Sequence, residues 1–153
     1  MELTNLSVEE LESIVLPKGG KSSSGEKKHQ KVDEVVELLK RFVKNPSTGD
    51  AVKRTIQVLC WDVTNTKEYF TGRQTENSIK SGKWVKEHEY GASRFALGLM
   101  YEARNGEADI DRDLIYGAFR KYMVWNKTTK EENKILQNNG QDYSQISPLK
   151  KVG

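Results

Sequence analysis

Cysteine is almost missing from this chain: Cys60 is the only one in 153 residues. No intrachain disulfide can form, and a reducing compartment is the expected setting. One Cys and two His also leave any zinc site short of ligands, and no carboxylate spacing completes one. No metal and no cofactor are expected. There is no apolar run near 18 residues, so no membrane span or membrane partner is expected. The opening Met1-Glu2-Leu3-Thr4 lacks the basic and apolar regions of a secretion signal, which makes the cytoplasm the expected location. The glycosylation patterns at Asn5-Leu6-Ser7 and Asn126-Lys127-Thr128 then carry no meaning.

Catalytic signatures are equally scarce. The chain contains no G-x-x-x-x-G-K-[ST], G-x-G-x-x-G or G-x-S-x-G. Lys18-Gly19-Gly20-Lys21-Ser22 has phosphate-friendly residues but neither the Walker spacing nor a preceding strand. Cys60 and His88 are the one pair that evokes a nucleophile and its base. Cys60 lies in an apolar run and His88 on an apolar helical face, so packing is the better reading for both. Asp109-Ile110-Asp111-Arg112-Asp113 mimics the start of a calcium loop, but Leu114 and Arg120 stand where Gly and Glu are required. Asp109 or Asp111 is expected instead to cap a helix. A non-enzymatic protein without a small-molecule substrate is expected.

Apolar content is low, at 35% hydrophobic residues and a mean hydropathy of −0.75, which fits one core with solvated tails. Charged residues make up 31% with both signs mixed, and the net charge is only +3. Whole-molecule charge therefore says little about partners, and local clusters matter more.

Four segments follow along the chain. Residues 1–17 form an acidic amphipathic arm. Ser7 and Glu10 make a capping box, Leu6 staples to Leu11, and Ile14 and Val15 continue the apolar face to Pro17. About nine residues are too few for a stable isolated helix, so the arm must dock on something. Residues 18–31 form a basic linker with three Gly, three Ser and five Lys. As a flexible coil it reaches roughly 20 Å. Residues 32–140 form the core domain, and 141–153 an unstructured C-terminal tail. Within the core, apolar spacing predicts helices over 32–44, 50–63, 84–104 and 111–125, and a short one after Thr129, which with Glu132 repeats the capping box. The run 56–61 also fits a buried strand, but its length and the lack of a partner strand favour helix. Residues 64–83 are read as loops with a short helical piece. The expected fold is all-α, with four to five helices flanked by two arms.

The functional candidate is 67–86. It interleaves Lys67, Arg73, Lys80, Lys83 and Lys86 with Tyr69, Phe70 and Trp84, against Glu68 and Glu76. Cations neutralise phosphates and aromatic faces stack bases, a sequence-tolerant mode suited to single strands. Arg94, Arg120 and Lys121 extend the patch. The arm residues Leu6, Leu11, Ile14 and Val15 are expected to grip a second copy, since exchanged arms build rings or filaments. Arm, tether, helical core and tail resemble, in layout only, the coat and nucleocapsid proteins of filamentous RNA viruses. That resemblance implies a self-assembling homo-oligomer that packages single-stranded RNA without sequence preference. The alternative is a helical adaptor or inhibitor, such as a virus-encoded antagonist of a host factor, with the arm as ligand helix. A helical DNA-binding regulator is a third reading, weakened because 50–63 offers only Lys53 and Arg54 as a recognition helix.

Overall fold

The computed structural model describes residues 23–106 and 109–152. The arm and the first part of the linker lie outside the described residues. Six α-helices and four strands follow: α1 (Ser23–Lys44), α2 (Gly49–Thr64), β1 (Phe70–Thr75), α3 (Glu76–Ser81), β2 (Val85–His88), α4 (Ala92–Asn105), α5 (Arg112–Tyr122), β3 (Trp125–Thr128), α6 (Lys130–Asn138) and β4 (Leu149–Lys151). Among the described residues no helix is long and apolar enough to cross a membrane.

The four long helices build the core. α1 packs on α2, α4 and α5, and α2 on α4. Val32, Val35, Leu39, Ile56, Phe95, Leu99, Ile115 and Phe119 are fully buried among them, at the i, i+3 and i+4 positions that the spacing predicted. α1 starts at Ser23 rather than 32, so the basic residues Lys27, Lys28 and Lys31 are helical and not part of a flexible linker. Lys28 reaches Glu68 at 3.5 Å and Lys31 reaches Asp62 at 3.5 Å, anchoring this part of the helix to α2 and the segment after it. Asp111 caps α5 and accepts from the Leu114 amide at 2.9 Å.

The all-α expectation is wrong. The strands form one mixed sheet in the order β2-β3-β1-β4, with β1–β3 parallel and the two outer pairs antiparallel. Two physical reasons explain the miss. Trp84, Val85 and His88 fit the spacing of a helical face as well as they fit a strand, so β2 merged with α4 in the reading. Gly91, at φ +83, makes the break between them, a conformation that L side chains rarely adopt. The C-terminal tail is also not unstructured, because β4 pairs Arg73 with Lys151, Gln74 with Lys150 and Thr75 with Leu149. Three residues are too short to show a period, and only the free edge of β1 gives them a partner.

Candidate nucleic-acid interface

Register sets which side chains share a face of the sheet. Lys86 on β2 opposes Lys127 on β3, Lys127 aligns with Gln74 on β1, and Gln74 opposes Lys150 on β4. Four residues, three of them lysines, thus form one row across the whole sheet, with neighbours about 4.8 Å apart in the pairing direction. Like charges directly opposite one another destabilise an antiparallel pair. Lys83, Lys86 and Lys127 make no ion pair among the described residues. Glu76 feels the charge of Lys150, but Lys80 already holds it at 3.0 Å.

The row beside it is aromatic. His88 opposes Trp125, and Trp125 aligns with Phe70. The Phe70 and Trp125 rings stack at 4.9 Å, and the Trp125 indole N–H donates to the Thr64 carbonyl at 2.8 Å under the end of α2. The lysines lean on these rings. Lys127 Nζ sits 4.2 Å from the centre of the Trp84 ring and 4.9 Å from Phe70, and Lys86 Nζ sits 4.9 Å from Trp125. Lys86 also donates to the Asn65 side chain. Cation–π contact fixes the ammonium groups while leaving their charge unneutralised. Trp84, in the turn between α3 and β2, keeps 43% of its surface exposed and is the ring best placed to stack on a base.

The residues predicted from sequence divide. Trp84 and Lys86 belong to this surface, and Lys83 is exposed next to Trp84 in the turn before β2. Lys67 is exposed beside it in a short 3-10 turn. Tyr69 is 1% exposed and is a core residue, with the Arg120 guanidinium 5.4 Å from its ring. Arg120 lies 3.6 Å from Glu68, and Lys121 sits over the Tyr122 ring. Arg73 points to the opposite face and pairs with Glu89. Lys80 is paired along its own helix, and Arg94 stacks on Tyr90 at 4.7 Å, away from the lysine row. Leu6, Leu11, Ile14 and Val15 lie outside the described residues. Lys127 and Lys150 were missed. The signal for Lys127 was the Trp125-Asn126-Lys127-Thr128 alternation, which is strand-like, whereas Lys150 had no sequence signal beyond its charge.

The opposite face is a polar network under α6. Thr71 donates to Asn126 at 2.5 Å, and Asn126 donates to Glu89 at 3.0 Å and to the Tyr143 hydroxyl at 3.1 Å. Buried Glu132 accepts from Thr75 Oγ1 at 2.5 Å, from the Ser147 amide at 3.0 Å and hydroxyl at 2.5 Å, and from the Thr129 amide at 3.0 Å. Burial pushes its carboxyl up, but those donors outweigh the burial and hold it below its ordinary value. Burial raises Glu87 to about 7 despite the amides of Gln141 and Asn133, and lowers His88 to about 4. Cys60 is buried and its thiol is pushed up by desolvation, the opposite of an activated nucleophile.

Searches against family models, curated proteins and solved structures find no match for this chain.

Proposed function

We propose that this protein binds single-stranded nucleic acid, with RNA the favoured form, on the lysine face of its sheet, and that it acts without catalysing a reaction. The carrying observation is the Lys86–Lys127–Gln74–Lys150 row, where like charges are set side by side at a cost to the fold. Phosphates crossing the strands relieve that repulsion, and Trp84 at the end of the row offers a stacking face. A reducing, cytoplasmic setting suits the single buried thiol. Fluorescence anisotropy with a short single-stranded RNA tests the reading. Trp84→Ala is expected to weaken binding by about 1–3 kcal/mol, and no binding by the wild type refutes it.

Self-association through the arm has its own supporting observation. An apolar groove of about 830 Å³ runs between the end of α1 and α4, lined by Phe42, Leu97, Met100 and Tyr101. Phe42 lies 19 residues beyond Ser23, about 28 Å along the helix at 1.5 Å per residue. Eight fully extended steps from Val15 to Ser23 cover about the same distance. Docking on its own groove thus leaves the tether no slack, whereas docking on a second copy is free of that limit. Light scattering is expected to show assemblies that shrink when residues 1–17 are removed. A monomer indifferent to RNA and to that deletion favours the adaptor reading instead.

A further inference from the structure

At the far end of β2 from Lys86 lies a separate cavity of about 330 Å³, lined by Trp61, Glu87, His88, residues 91–94, Gln137 and Gln141. We propose that this cavity is a binding site for a phosphomonoester. The argument begins with a tautomer. Thr64 Oγ1 donates its one proton to the Cys60 carbonyl at 2.7 Å, so it can only accept from His88 Nε2, 2.8 Å away. The proton of the neutral ring is therefore on Nε2, and Nδ1 carries a bare lone pair. That Nδ1 is buried without a partner, on a side chain only 2% exposed. An unmet acceptor of this kind is costly, and it calls for a ligand that brings a donor.

The rest of the cavity calls for an anion. α4 is 14 residues long and starts there, and its N-cap is Gly91, which has no side chain to accept from the first-turn amides. Ala92 and Ser93, the first residues of the helix at its positive end, line the cavity. Arg94 adds a guanidinium to the rim. The cavity's one acid, Glu87, has its oxygens turned to the Asn133 and Gln141 amides. Its burial favours the uncharged form, which limits repulsion of an anion.

A phosphomonoester satisfies both demands. A singly protonated phosphomonoester presents acceptor oxygens to the helix amides and Arg94, and a P–OH to His88 Nδ1. Sulfate and phosphodiesters have the oxygens but no proton, and so leave Nδ1 unmet. The Trp61 indole, 40% exposed, tilts over the imidazole with ring centres 4.1 Å apart and lines the same cavity.

The test is NMR titration of the full ¹⁵N-labelled chain with inorganic phosphate and, separately, with sulfate. It is run at about pH 6, near the second ionisation of a phosphomonoester. Phosphate is expected to shift the His88 Nδ1, Trp61 indole and Ala92–Ser93 amide resonances, and to bind roughly 100-fold more tightly than sulfate. Arg94→Gln, an exposed change that leaves the core alone, is expected to weaken phosphate binding about tenfold. Lys127→Gln is expected to leave it unchanged, which separates this site from the lysine row. No shift with either anion, equal affinity for both, or indifference to Arg94→Gln overturns the assignment.

Discussion

Neighbouring side chains on one strand meet opposite fates here. Glu87 and His88 are both buried, and each is held in its uncharged direction by desolvation. Their effects on stability run in opposite senses. Folded Glu87, at about 7, keeps a proton that the unfolded chain releases near its ordinary 4.5, so its contribution falls as pH rises between those values. Folded His88, at about 4, refuses a proton that the unfolded chain takes up near 6.5, so its contribution falls as pH drops through that window. Glu87→Gln removes the first effect and keeps the second. The melting temperature of the variant relative to wild type is expected to climb between pH 4.5 and about 7, and parallel curves would show that Glu87 is not desolvated. None of this was legible in the sequence, where His88 read as a residue on a helical face and Glu87 drew no attention. Burial is set by what packs on β2, and that information lies far away, in α2 for His88 and in α6 and the segment after it for Glu87.

Among the elements, helices were far more legible than strands. The bounds of α2, the start of α5 with its Asp111 cap and the Thr129–Glu132 capping box were readable because a helix carries its signal within itself, in spacing and caps, but α5 ends at Tyr122, and the helix expected to run to 125 overran the start of β3. The strands have three to six residues and borrow their stability from partners 37 to 78 positions distant, so no local window reveals them. Glu132 shows how the parts interlock. The residue that closes the capping box of α6 also accepts from Thr75 on β1 and from Ser147 ahead of β4. Glu132→Ala leaves those donors unmet in a buried place and is expected to cost about 3 kcal/mol. Hydrogen exchange is expected to show Lys150 and Lys151 losing protection before the core helices. Uniform loss across the chain would mean that β4 is not hung on this residue.

At the scale of the molecule, a helical core carries a sheet whose two faces have divided labour. One face is a closed polar network beneath α6, and the other shows lysines seated on aromatic rings. Part of that site was legible: Trp84 and Lys86 lie close in sequence, and both meet Lys127 in space. Lys127 and Lys150 became part of it only through register, and Tyr69 and Arg120 left it because the core needed a ring at that position. The row also implies a dissociation of stability from function. Removing two opposed cations relieves repulsion within the sheet and offsets the lost cation–π contacts, so a variant with Lys86→Gln and Lys127→Gln is expected to stay folded with a melting temperature near that of wild type.

That variant supplies the most direct measurement: the dependence of single-stranded RNA affinity on salt, followed for both proteins over the same series. Each lost phosphate contact lowers the log–log slope by about 0.7 on a single strand, so a decrease of about 1.4 with an intact fold is predicted. An unchanged slope and affinity in the folded variant would contradict the account.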